Sequence, residues 1–129
     1  MDIVGIGTEI VECLRIRRMI EEHGEQFLLR VFTEKEVRFC QSRRHATEQF
    51  AARWAAKEAV LKSLGAAGGK GAAWTDIETD SDEAGNAKVN LRGSLRETMD
   101  ARGVRDVIIS FSFCRAYATA TAIALRRPT

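Results

Sequence analysis

Glu58 and Lys62 lie four residues apart in the stretch 50–65, Phe-Ala-Ala-Arg-Trp-Ala-Ala-Lys-Glu-Ala-Val-Leu-Lys-Ser-Leu-Gly, so a helix would set both on one face. Arg53 and Lys57 bring two more cations to the same stretch, and a glycine-rich loop with Gly65, Gly68, Gly69 and Lys70 follows at once. A carboxylate, three cations and a flexible loop are suited to an anionic ligand held with a metal. An ordinary solvated helix pair, worth a few tenths of a kcal/mol, accounts for Glu58 and Lys62 equally well. Glu9 is a second carboxylate of double meaning. It stands where an opening strand turns into helix, so it either favours the positive end of that helix or ligates a metal.

The elements that must position these residues follow from periodicity and punctuation. The central stretch is rich in Ala, Leu, Lys and Glu, which favour helix. Phe50, Trp54, Leu61 and Leu64 recur along one broad face, and Gly65 supplies a left-handed stop. Residues 2–10 form a short strand whose continuous apolar character predicts cover on both faces. Gly5 and Gly7 leave room for something to approach its backbone closely.

Residues 11–23 read as an amphipathic helix with Val11, Leu14, Ile16, Met19 and Ile20 turned mostly inward. Its outer face carries Arg15, Arg17 and Arg18, with Arg30 shortly after. That face is either solvated or a docking surface for an acidic partner. Gly24 punctuates, and 25–32 form a second short helix. Thr33 with Glu36 matches a capping box, which predicts a helix over 34–43 and a polar loop over 42–48.

Downstream, residues 74–79 and Ala87–Leu91 pair as a hairpin around Ala84-Gly85-Asn86. Residues 92–102 form a helix with Leu95 and Met99 inward, stopped at Gly103. Strands over 104–113 and 117–125, joined tightly by Cys114-Arg115-Ala116, are expected at the centre of a sheet. The order strand, helices, hairpin, helix, hairpin predicts an α+β fold with helices packed on a mainly antiparallel sheet, in one domain over 1–129.

Composition narrows the class. A chain of 129 residues can bury one core without staples. A net charge of only +2 gives no whole-molecule case for nucleic acid. No apolar run approaches the roughly 20 residues of a membrane span, and no signal peptide is visible. Cys13, Cys40 and Cys114 are scattered, without zinc or redox spacing, which favours reduced thiols in the cytoplasm. His23 and His45 have no partner at metal-ligand spacing.

Three separated segments resemble one family in order. Gly5-Ile6-Gly7-Thr8-Glu9-Ile10-Val11-Glu12 with Arg15-Ile16, the central helix, and Ile109-Ser110-Phe111-Ser112-Phe113 with Tyr117-Ala118-Thr119-Ala120 resemble the motifs of holo-acyl-carrier-protein synthases, small 4'-phosphopantetheinyl transferases. The resemblance covers essentially the whole chain, and its central motif is the specific one. It implies transfer of the phosphopantetheine arm of coenzyme A to a serine of an apo-acyl carrier protein, with Mg²⁺, releasing adenosine 3',5'-bisphosphate. Fatty-acid synthesis is one of the pathways such carriers serve.

By the same resemblance Glu9 and Glu58 are the metal ligands. Lys62 faces phosphate or assists proton movement, and Glu58 or a metal-bound water is the base. Arg53, Lys62, Gly65, Gly68, Gly69 and Lys70 hold coenzyme A, with Arg53 reaching across a subunit boundary. Arg15, Met19 and Arg30 receive the acidic carrier. The implied assembly is a homotrimer with sites between subunits. Two positions depart from the family pattern: Glu9 stands where Asp is usual, and Phe113 near a position where many members carry His. A weakened or inactive homologue that binds coenzyme A or a carrier protein is the alternative reading.

Overall fold

Two glycines decide how closely the longest helix meets the sheet. Strand β1 (Asp2–Glu12) lies against helix α4 (Ala46–Ser63). A methyl group at Gly5 would run into the carbonyl oxygen of Ser63, and one at Gly7 into that of Ala59. The neighbour that the glycines admit is therefore the protein's own helix. The computed structural model describes residues 2–66, 74–82 and 84–126.

Helix α4 answers with small side chains. Ala51, Ala52, Ala55, Ala56 and Ala59 are fully buried, and the helix packs on β1 and on two further strands, β4 (Asp106–Phe113) and β5 (Tyr117–Arg126). The strands run in the order β1-β5-β4, all antiparallel. From β5, Ala118, Ala120, Ala122 and Ala124 point at the helix and are buried, as the two-residue period of a strand requires. A separate antiparallel ribbon joins β2 (Ile77–Ser81) to β3 (Ala87–Leu91).

The other helices are α1 (Cys13–His23), α2 (Glu25–Val31), α3 (Glu34–Gln41) and α5 (Gly93–Ala101). Gly24, at φ 53°, breaks α1 from α2. The capping box is present in both directions: the Thr33 amide donates to Glu36 Oε1 at 2.8 Å, and the Glu36 amide to Thr33 Oγ1 at 3.3 Å. Leu95 and Met99 are buried as expected. Among the described residues no helix is long and apolar enough to cross a membrane.

Several expectations are corrected. β1 is an edge strand covered on one face only, and Ile3, Ile6 and Ile10 are 58%, 57% and 64% exposed. Within one chain the apolar run of β1 is therefore covered on one side only. β1 also runs on to Glu12, so Val11 reaches the core from a strand, and Leu14 is 48% exposed. Of the two C-terminal strands only β5 is central; β4 lies at the sheet edge. α4 begins at Ala46, and Trp74–Asp76 is a turn of 3₁₀ helix ahead of β2.

Lys57 and Glu36 make the interior polar contact that ties these pieces together. Both side chains are fully buried, with Lys57 Nζ 2.6 Å from Glu36 Oε1. The ammonium also donates to the carbonyls of Val31 at 2.8 Å, Ile77 at 2.7 Å and Trp74 at 3.2 Å. Glu36 Oε2 accepts from the amide of Thr79 at 3.0 Å and from its hydroxyl. Lys57 is therefore not a ligand cation. A buried pair of this kind, broken on one side, leaves an uncompensated charge. Lys57→Met is expected to lower unfolding free energy by about 3–5 kcal/mol in urea titration. Lys57→Met/Glu36→Leu should recover part of that loss; a double variant no more stable than the single one would contradict this account.

Candidate active site

Strand alternation places Glu9 on the same side of β1 as Gly7 and the buried Val11, facing α4. Glu9 sits opposite Ala120 of β5, and its backbone carbonyl accepts from Thr119 Oγ1 at 3.1 Å. On α4, Glu58 and Lys62 occupy successive turns along the edge that meets β1. Lys62 Nζ donates to the carbonyl of Thr8 at 3.0 Å and to Glu9 Oε1 at 3.4 Å. Among the described residues Lys62 thus has its ion pair across the strand–helix seam, not along its own helix.

Glu58 faces the same seam and is partly buried. Burial raises the pKa of its carboxyl group, and the charge of Glu9 raises it further; Lys62 and Arg15 pull in the opposite direction. The site therefore consists of two carboxylates repelling one another, with a lysine and an arginine close by. Arg15 reaches it from α1, its guanidinium 5.4 Å from the Trp54 ring centre, and Trp54 stacks on Trp74 at 5.8 Å with 24° between the rings. This places Arg15 beside Glu58 as well as on the basic outer face of α1, a double position that its spacing did not reveal.

Two carboxylates with no nitrogen or sulfur ligand form the oxygen donor set Mg²⁺ takes, water and phosphate oxygens completing the shell. Among the described residues no group of three or more His, Cys, Asp or Glu side chains could hold a metal. The pair fits an ion that carries most of its ligands with it.

Arg53 lies elsewhere. It is almost fully buried, donating through Nη1 to Gln49 Oε1 at 2.6 Å, with its guanidinium 4.3 Å from the Phe39 ring centre and 5.0 Å from that of Phe111. With Arg43, Gln49, Phe39, Phe111 and Phe113 it lines an open cavity of about 580 Å³. Within one chain the structure therefore gathers Glu9, Glu58, Lys62 and Arg15, and sets Arg53 apart with Phe113. Arg43, whose guanidinium lies 4.5 Å from the Phe39 ring centre, was missed because nothing in its polar loop marks it. Gly65, at φ 70°, ends α4 one turn past Lys62. Met19 packs half-buried against the core, and Arg30 is exposed in the last turn of α2. Gly68, Gly69 and Lys70 lie outside the described residues.

The model of a family described as the 4'-phosphopantetheinyl transferase superfamily matches residues 5–122. A holo-[acyl-carrier-protein] synthase of Ruminiclostridium cellulolyticum is 44% identical over 119 residues, covering 92% of this chain and 89% of that protein. The crystal structure of the Neisseria meningitidis holo-[acyl-carrier-protein] synthase superposes with a TM-score of 0.89 at 27% identity, covering 97% of this chain and 100% of that one. A synthase from Bacillus anthracis, solved in complex with CoA (3',5'-ADP), gives 0.80 at 30% identity, with 97% and 98% covered.

The raised carboxyl of Glu58 has a stability signature. Because folding favours its protonated form, its contribution is fully present below the pKa it has in the unfolded chain and is lost as pH rises through the higher folded value. Glu58→Gln should therefore melt higher than the parent at neutral pH, the gap closing at acidic pH where both side chains are neutral. Thermal melts across that range check it; a gap that widens in acid would contradict the assignment.

Proposed function

This chain belongs to the 4'-phosphopantetheinyl transferase superfamily, and within it we propose that it works as a holo-[acyl-carrier-protein] synthase. It transfers the 4'-phosphopantetheine arm of coenzyme A to a serine of apo-acyl carrier protein. The observation that carries this reading is the convergence of Glu9, Glu58 and Lys62 from a strand end and a helix onto one seam. The likeness to synthases along nearly the whole chain, one of them solved with CoA (3',5'-ADP), supports it.

The new bond joins the serine oxygen to the phosphorus that carries pantetheine. The bond that breaks joins this phosphorus to the oxygen of the leaving adenosine 3',5'-bisphosphate. Glu58 takes the serine proton directly or through a water. Lys62, held at the seam by Thr8 and Glu9, places a positive charge where the pyrophosphate must lie. Glu9 and Glu58 would hold Mg²⁺, which neutralises and orients the pyrophosphate when bound. Gly65, Gly68, Gly69 and Lys70 serve the phosphate and adenine end. Arg15, Met19 and Arg30 receive the carrier, cations meeting an acidic surface.

Incubation with apo carrier, coenzyme A and Mg²⁺ should add one phosphopantetheine to the carrier by intact mass, and a chelator should stop it. Lys62→Ala should lower kcat/KM by about 10²-fold. No mass increase with several carriers would overturn the reading.

We place the working assembly as a homotrimer in the cytoplasm, where Cys13, Cys40 and Cys114 stay as thiols. The open face of the β1-β5-β4 sheet supports the assembly: Ile6 and Ile108 flank Ile123 in register, with Ile3 and Ile10 beyond. Such a patch marks an interface, and a closed ring would let Arg53 of one copy serve the seam of the next. Ile6→Glu/Ile10→Glu should give a folded monomer with little transferase activity, read by analytical ultracentrifugation and circular dichroism. An unchanged sedimentation coefficient would rule this face out.

A further inference from the structure

The carboxyl end of α4 carries partial negative charge and runs into Gly65, beside the place where an anionic ligand is proposed to bind. Its carbonyls are mostly closed locally. The Ala66 amide takes the Leu61 carbonyl at 2.8 Å and the Gly65 amide takes that of Lys62 at 3.1 Å, the paired contacts of a glycine-stopped helix. The Leu64 carbonyl is closed from far away in sequence: Arg102, just past the end of α5, donates to it through Nη1. The same guanidinium covers one face of Gly65. A methyl group there would come within 2.5 Å of Arg102 Nη1, a side-chain end free to shift, so it is the φ of 70° that requires glycine at position 65.

We propose that Arg102 is a positioning residue for coenzyme A: it fixes the Leu64–Gly65 peptide at the end of α4 and offsets the negative helix end there. This rests on the reading of Gly65 as part of the coenzyme A site. The chemistry is specific to an anionic ligand. A carbonyl end of a helix repels phosphate, and a guanidinium bound to that end reverses the local sign while leaving Gly65 small. Arg102 is otherwise a surface residue, so its truncation removes no core packing. Lys62 lies one turn back on the same helix, its ammonium on Thr8 and Glu9.

The test uses the full chain with coenzyme A, Mg²⁺ and an apo carrier. Arg102→Ala should raise KM for coenzyme A, and its Kd by calorimetry, by about tenfold, the size of a charge acting at a partly buried helix end. It should leave kcat and KM for the carrier within about twofold, and Arg102→Lys should recover part of the loss because it keeps the charge. A lowered melting temperature with an unchanged KM for coenzyme A would make Arg102 a helix cap alone and overturn the inference. So would a kcat that falls as far as kcat/KM. A parent protein that binds no coenzyme A at all would overturn the functional reading, and this one with it; a parent that binds and an Arg102→Ala variant that binds equally well overturns this one alone.

Discussion

The buried ion pair between Lys57 and Glu36 sets the rotation of α4 about its own axis, and the placing of every other charge on that helix follows. An ammonium held by one carboxylate and three backbone carbonyls has no low-energy alternative, because turning it outward strands Glu36. With Lys57 fixed toward α3 and β2, helical geometry fixes the rest. Arg53, one turn earlier, shares its side and meets Phe39 of α3. Glu58, about 100° further round, is turned to the seam with β1, and Lys62 follows one turn on. The charges of α4 therefore form two stripes, and the separation of Arg53 from Glu58 follows from the direction in which Lys57 points.

The second constraint is distance. The seam that holds Glu9 against Lys62 exists because Gly5 and Gly7 let the β1 backbone settle onto the carbonyls of Ser63 and Ala59, while alanines fill the remaining contact between α4 and the sheet. A bulkier strand would lift Glu9 away from α4 by the width of a side chain. Helix rotation and strand approach thus act on the same few side chains: the first turns Glu58 and Lys62 to the seam, and the second brings Glu9 to them.

Local signals were legible in the sequence wherever one residue type answers one backbone need. The Thr33–Glu36 capping box and Gly24 and Gly65 at helix ends stand as read, and the ribbon turns near Gly85 as expected although its first strand starts at Ile77. Glu9, Glu58 and Lys62 were singled out by type and spacing. Their meeting depends on a strand–helix contact between residues more than fifty apart in sequence, which periodicity does not encode. Burial was misread where it depends on tertiary cover. The apolar run of β1 looked enclosed, yet the fold leaves its isoleucines outside. Lys57 looked like a ligand cation because nothing local shows Glu36 waiting across the interior.

The two departures from the family pattern fall in different places, and the geometry separates their consequences. Glu9 keeps its carboxylate at the seam despite its extra methylene, within reach of Lys62 at 3.4 Å. Phe113 stands near the end of the hairpin beside Arg43 and Arg53, on the other charge stripe. Within one chain, a histidine there would not have stood in the group formed by Glu9, Glu58 and Lys62. Of the carboxylates in that group, Glu58 is the one whose pKa burial and the charge of Glu9 raise. A contribution from the hairpin would have to come from another copy, where Phe113 offers an apolar wall and the neighbouring arginines offer charge.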